Sequence, residues 1–320
     1  MRPVRADVDL GAVTANVATL RSLVAPAQLC AVVKAEGYGH GAVPVAYAAL
    51  AGGADLLGVA LVAEGAELRL AGITEAVLVL SQASVDEVDD LVAHSLDATA
   101  YTAAGVAALA KAAVRAGRAT DRPVAVHLKV DTGMHRVGAQ PTEAVALARA
   151  IVDSPGLRLA SVFTHCAVAD EPDNPFTAEQ IQRYRRVLAD LSDAGIDVPC
   201  RHAANTAGAI AHPDARFDLV RCGIGIYGID PSPELAGRVR LLPAMSLTAR
   251  VSHVKRVAAG ERVSYGLRYR AERETTIATV PLGYADGVAR RLSFTGGEVL
   301  VGGARRPMAG TITMDQFLAD

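Results

Sequence analysis

Short apolar runs alternate with longer, Ala-rich stretches from about residue 9 to residue 230. The runs are LCAVVKA (29–35), LLGVAL (56–61), AVLVLS (76–81), LDATAY (96–101), PVAVHLKVD (123–131), LRLASVFTH (157–165), CRHAAN (200–205) and DLVRCGIGIYG (218–228). Between them lie AVPVAYAALAGGA, VAEGAELRLAG and AEQIQRYRRVLADLSDAG, whose apolar residues recur at i, i+3 and i+4. Strands alternating with helices predict parallel βαβ units. Eight strands in about 220 residues match the size of a (β/α)8 barrel. A doubly wound open sheet is the alternative. No G-x-G-x-x-G follows the first run, which weakens its dinucleotide-binding form.

The texture changes after about residue 235. Short alternating runs such as SLTARVSHVKRV, TTIATVPLG and GGEVLVGG replace the helical period. They predict a mostly antiparallel β domain. The expected organisation is therefore an α/β chain with a (β/α)8 TIM barrel over 1–234 and a β domain over 235–320.

Composition narrows the function classes. The chain has 320 residues, 51% hydrophobic and 21% charged, enough apolar material for a large core. Lys plus Arg is 32 and Asp plus Glu is 34, with no basic block, so a nucleic-acid partner has no electrostatic support. No apolar span of about 20 residues predicts a membrane helix. MRPVRADVDL has no apolar h-region to predict a secretory signal. Cys30, Cys166, Cys200 and Cys222 show no CxxC spacing, so reduced thiols in a cytoplasmic protein are expected rather than a metal site or a disulfide frame.

Polar residues fall at the C-terminal ends of the apolar runs, the catalytic face of a barrel. Lys34 ends the first run. It reads either as a snorkelling lysine at a strand end or as a desolvated amine fit to form a Schiff base. Tyr38 offers a phenol nearby, and His40 suits packing or capping. Arg221 ends the strand carried by the eighth run, and Gly223 and Gly225 leave backbone N–H groups accessible to a phosphate. His165 and Asn205 end the sixth and seventh runs, each equally readable alone as structural. Together these groups describe a site for a phosphorylated aldehyde cofactor held by lysine.

The segments AVVKAEGYGHG, LKVDTGMHRVG, FTHCAVADE, RHAANTAG, DLVRCGIGIYG, VSYGLRY, LGYADGV and GTITMDQF, in this order and spacing, resemble those of the alanine racemases. The resemblance covers nearly the whole chain. It departs at Glu36, where the family usually has Asn or Asp, and at Cys222, where it usually has Pro or Thr.

The resemblance implies an isomerase that interconverts L- and D-alanine through a pyridoxal 5'-phosphate aldimine and supplies D-alanine for peptidoglycan. It assigns the two catalytic bases to Lys34, for the D-enantiomer proton, and Tyr265, for the L-enantiomer proton. His165 and Arg221, with His202 next in line, would support the Tyr265 phenolate. Arg221 would meet the pyridine nitrogen, which argues against the decarboxylases that share this barrel but use a carboxylate there. Asn205 joins the cofactor-binding set. Tyr38, Thr206, Gly223 and Ile224 match the phosphate positions. Arg136 would bind the substrate carboxylate, and Lys129 matches a position that is often carbamylated. Tyr265, Tyr284, Met314 and Asp315 would reach the active site of a partner in a head-to-tail homodimer. Family members continue beyond the position of Asp320 with a tail that closes the β domain and adds a tyrosine to the phosphate. The β domain is therefore expected to be incomplete. The alternatives are a serine or broad-specificity racemase and a cofactor-binding but inactive truncated homologue. VSYGLRY and GTITMDQF argue against single-barrel cofactor-binding proteins, which lack the β domain.

Overall fold

The computed structural model describes residues 3–118 and 122–320. The chain forms two compact units, Asp9–Ala244 and Met1–Val8 with Met245–Asp320. Strand β1 (Val4–Val8) belongs to the latter.

The larger unit is a closed parallel barrel of eight strands: β2 (Gln28–Val32), β3 (Leu56–Val59), β4 (Val77–Val79), β5 (Ala98–Ala100), β6 (Val124–Lys129), β7 (Leu157–Phe163), β8 (Arg201–His202) and β9 (Leu219–Cys222). Seven of them lie within their apolar runs, and β2 begins at Gln28, one residue before LCAVVKA. Two four-stranded arcs, β4-β3-β2-β9 and β5-β6-β7-β8, make up the circle. One seam is closed by Val79 N donating to Asp97 O (3.0 Å) and Asp97 N to Val77 O (2.9 Å). The other is closed by Asp218 N to Arg201 O and Arg221 N to Ala204 O, both 3.0 Å. Closure removes the open-sheet alternative.

Around the strands run α1 (Leu10–Val24), the short α2 (Lys34–Gly39), α3 (Ala42–Ala51), α4 (Val62–Leu70), α5 (Val88–Ala93), α6 (Ala103–Arg115), α7 (Ala144–Val152), α8 (Phe176–Asp193) and α9 (Thr206–Ala211). Local chemistry sets their ends. Asp9 Oδ1 accepts from Ala12 N (3.0 Å) to cap α1, and Thr102 Oγ1 accepts from Gly105 N (3.0 Å) to cap α6. On α8, Ile181, Tyr184, Val187 and Leu191 form the buried stripe. Full burial of such side chains contributes roughly 1.5–3 kcal/mol each. The Tyr184 hydroxyl donates to Val162 O (2.6 Å), which locks that helix to β7.

The smaller unit is antiparallel throughout. It contains β1 paired with β10 (Met245–Ala249), a sheet ordered β11-β14-β17 (His253–Val257, Thr275–Val280, Phe317–Ala319), and the pairs β12 (Arg262–Val263) with β13 (Tyr269–Arg270) and β15 (Glu298–Val301) with β16 (Ala304–Pro307). The division differs from the expected 234/235 boundary at both ends. Residues 235–244 stay with the barrel because Leu242 exchanges hydrogen bonds with the Asn16 amide (2.7 and 2.8 Å) and Ala244 N donates to Tyr227 O (3.0 Å). The first eight residues leave it because β1 pairs with β10.

Candidate active site

The C-terminal ends of the barrel strands surround a cavity of about 600 Å³. Lys34, Tyr38, Lys129, Arg136, His165, Asn205, Thr206, Arg221, Gly223 and Ile224 all line it. The strands bring together residues that stand up to 190 positions apart (Lys34 to Ile224, 224 − 34).

Lys34 sits where β2 gives way to an unusual turn. Ala35, Glu36, Gly37 and Tyr38 all have φ between 52° and 58°, so α2 winds left-handed. For residues with a Cβ this costs about 1–2 kcal/mol each. Glu64 anchors the turn. Its Oε1 accepts from Ala35 N (2.7 Å), and its Oε2 accepts from Ala60 N (2.7 Å) and Leu61 N (3.1 Å). Glu36 Oε1 accepts from Ala42 N (3.3 Å) at the far side. Backbone strain held in place by a side chain is a mark of a functional loop. The Tyr38 ring stacks on Tyr227 at 4.8 Å, and burial raises its hydroxyl above the usual tyrosine range. His40 also packs on Tyr227, at 4.6 Å, in keeping with a packing role.

Arg221 is buried, and its hydrogen bonds all go to neutral groups. It donates to His202 Nδ1 (2.7 Å), Thr164 O (2.8 Å), Ala203 O (3.0 Å) and His165 Nδ1 (3.2 Å). A guanidinium only donates, so both Nδ1 atoms accept and each neutral ring carries its proton on Nε2. Burial, followed by the positive charge of Arg221, holds His165 and His202 well below the usual histidine range. The same two influences, with Arg136 and Lys34 adding to them, lower Lys129 to about 8.

The third wall is a cradle of backbone. Thr206 Oγ1 accepts from Gly223 N (3.0 Å) and Gly225 N (3.4 Å). A Cβ on Gly223 would lie 2.5 Å from Tyr38 Oη, and one on Gly225 would lie 2.6 Å from Thr206 Cγ2. Only glycine fits either position. Asn205 Oδ1 accepts from Gly208 N (2.9 Å), so this side chain caps α9 beside the cradle.

Tyr265, Tyr284, Met314 and Asp315 are not among the cavity's lining residues and belong to the smaller unit. Tyr265 is 72% exposed on a turn in which Ser264, Gly266 and Leu267 all have positive φ. Thr311 Oγ1 donates to its carbonyl (2.8 Å). The turns carrying Tyr284 and Met314 interlock through Tyr284 N to Thr313 O and Ala285 N to Met314 O, both 3.0 Å. Both side chains are exposed.

The family model described as "Alanine racemase, N-terminal domain" matches residues 8–231, and "Alanine racemase, C-terminal domain" matches residues 244–320. The chain belongs to the alanine racemase family. A relative named alanine racemase from Symbiobacterium thermophilum is 46% identical over 318 residues, covering 99% of this chain and 83% of the relative. One from Thermobifida fusca is 45% identical, covering 98% and 83%. The crystal structure of alanine racemase from Streptomyces lavendulae superposes with a TM-score of 0.92 at 40% identity, covering 100% of this chain and 84% of that one.

Some features of this alanine racemase family member were not legible beforehand. Glu64 lies in LVAE, with no polar N-cap residue to announce a capping box, and its anchoring of Ala35 depends on the fold. The left-handed turn has only Gly37 as a local cue among its four residues. Cys222 is fully buried, and burial pushes its thiol up to about 12, so it is inert packing beside the cradle.

Proposed function

We propose that this chain is a pyridoxal-phosphate-dependent alanine racemase, with Lys34 as the cofactor lysine. The observation that carries the reading is the meeting of three things in one cavity: the Lys34 amine, the donor-only Arg221, and the Thr206–Gly223–Ile224 cradle. The donor set fits the cofactor. The cavity is large enough for a substituted ring and a small amino acid. Ile224 N begins a turn beside the cavity, and the glycine at 223 brings backbone and the Tyr38 hydroxyl close together at the same end. Tyr38, Thr206, Gly223 and Ile224 would hold the phosphate, Arg221 would face the ring nitrogen, and His165 and Asn205 would border the ring.

When bound, the cofactor supplies a conjugated ring that withdraws electron density from the substrate Cα. Racemisation then needs a proton removed from one face and returned on the other. Lys34 Nζ serves one face, for the D-enantiomer, and Tyr265 Oη the other, for the L-enantiomer. An arginine does not surrender its proton at neutral pH. Arg221 would therefore offer the ring nitrogen a donor and no proton to take up, which would keep the electron withdrawal moderate. His165 Nε2–H would donate toward the phenolate form of the Tyr265 that a second copy supplies. Arg136 pairs with the substrate carboxylate in a two-pronged contact. Lys129, lowered to about 8, has a neutral fraction at physiological pH whose amine can add to carbon dioxide and lose a proton to solvent, giving a carbamate anion in the cavity that Arg136 also lines.

Tyr265, Tyr284, Met314 and Asp315 serve the site of a second copy in a head-to-tail homodimer. The exposure of Tyr265, Tyr284 and Met314 supports this assignment. The enzyme works in the cytoplasm, supplying D-alanine for peptidoglycan. All four cysteines are free, and no helix among the described residues is long and apolar enough to cross a membrane. The test is reductive trapping of pyridoxal phosphate with borohydride followed by peptide mapping. The label is expected on Lys34, and its appearance on Lys129 would overturn the assignment.

A further inference from the structure

A buried guanidinium without an adjacent carboxylate needs its charge balanced from somewhere. The barrel interior shows where. His202, which accepts from Arg221 through Nδ1, has its Nε2 2.8 Å from Ser161 Oγ. Ser161 Oγ is 2.6 Å from His127 Nδ1, and His127 Nε2 is 3.4 Å from Asp97 Oδ2. His127, Ser161 and His202 are all buried. The arginine sets the direction of the first bonds and the carboxylate, which only accepts, that of the last. His202 must accept at Nδ1, so its Nε2–H donates to Ser161. The Ser161 hydroxyl then donates to His127 Nδ1, and His127 Nε2–H donates to the carboxylate. Cation and anion are joined through two imidazoles and one hydroxyl.

The chain crosses the barrel from end to end. Asp97 precedes the first residue of β5, at the face opposite the cavity, lines a small cleft with Arg118 and Arg158, and also interacts with the charge of Arg69. His127 is in the middle of β6, Ser161 in β7, His202 at the end of β8 and Arg221 in β9. Phe163 fixes the plane of the terminal members. It stacks on His202 at 4.6 Å and 6°, with the Arg221 guanidinium 5.2 Å from its ring centre. The chain cannot conduct a proton to the cavity, because Arg221 has no acceptor atom.

We infer that Asp97, His127 and Ser161 are positioning residues for Arg221, delivering its counter-charge from the opposite end of the barrel and holding its orientation. The functional consequence rests on the proposed reading that Arg221 faces the cofactor ring. The substrate carboxylate is left to Arg136, so the relay should govern the chemical step rather than substrate binding.

The test uses the full chain with 15N-labelled histidine. In the cofactor-free protein, His127 and His202 should both show the Nε2–H tautomer. Asp97→Asn keeps an acceptor and removes the charge, and should move the His202 ring signals although the two residues do not touch. Arg158→Gln, in the same cleft but outside the chain, should leave them in place. In a Ser161→Ala background, Asp97→Asn should no longer move them. With cofactor and alanine, Asp97→Asn should lower kcat by roughly tenfold with KM nearly constant, and Asp97→Glu should restore part of the loss. An Nδ1–H tautomer at His202, or His202 signals indifferent to Asp97→Asn, would overturn the relay. Relayed shifts with an unchanged kcat would uphold the relay and overturn the reading that Arg221 acts on the cofactor.

Discussion

Replacing Thr206 by valine keeps the shape of the side chain and deletes a single oxygen. That oxygen accepts from Gly223 N at 3.0 Å and Gly225 N at 3.4 Å, and both glycines are buried. A buried N–H left without a partner costs about 1–3 kcal/mol. The 3.0 Å bond should count in full and the 3.4 Å bond less, so Thr206→Val should destabilise the cofactor-free barrel by about 2–4 kcal/mol. Thr206→Ser keeps the oxygen and loses the methyl, at about 1 kcal/mol. With an m-value of roughly 3 kcal/mol/M for urea, the valine midpoint should fall by about 1 M and the serine midpoint by a few tenths of that. Urea unfolding followed by far-ultraviolet circular dichroism measures both. Added pyridoxal phosphate should widen the gap between the two variants, because a ligand that binds only the folded state stabilises it. Equal midpoints for valine and serine would refute the account of the cradle.

Two further outcomes follow from the site. Burial lowers Lys129 to about 8 in the folded protein from an ordinary 10.5. The unfolded chain therefore holds more protons between those values, and stability should rise as pH increases through that window. The rise should approach roughly 3 kcal/mol and vanish in Lys129→Met, as read from urea midpoints in bicarbonate-free buffer on either side of the window. Tyr265→Phe should slow racemisation by roughly 10²–10⁴, with α-proton exchange of L-alanine falling more than that of D-alanine. Equal losses by proton exchange in deuterated solvent would contradict a base confined to one face.

The barrel is readable because strands buried on both faces appear as near-continuous apolar runs: LCAVVKA, LLGVAL and AVLVLS hold β2, β3 and β4 to within a few residues at each end. Lys34, His165 and Arg221 stand out for the converse reason, as polar groups at the C-terminal ends of the strands that such runs carry. The unit boundary was not readable. It depends on Val4–Val8 pairing with Met245–Ala249, a contact across some 240 positions that leaves no local pattern. Glu64 escaped notice because its partners Ala35 and Ala60 meet it only after β2 and β3 lie side by side. His127 and Ser161 sit inside the runs PVAVHLKVD and LRLASVFTH, where one polar residue in a strand reads as a satisfied core group. Their alignment with His202 follows from the stagger of β6, β7 and β8, which periodicity does not encode.

The central claim is that this chain moves the α-proton of alanine between two faces. Chiral analysis of alanine after incubation with the purified protein and pyridoxal phosphate, starting separately from each enantiomer, tests it most directly. The account predicts that L-alanine and D-alanine converge on the same equal mixture, and that Lys34→Ala abolishes the convergence. If each enantiomer persists unchanged while the cofactor label sits on Lys34, the chain binds the cofactor without racemising alanine, and the central claim is contradicted.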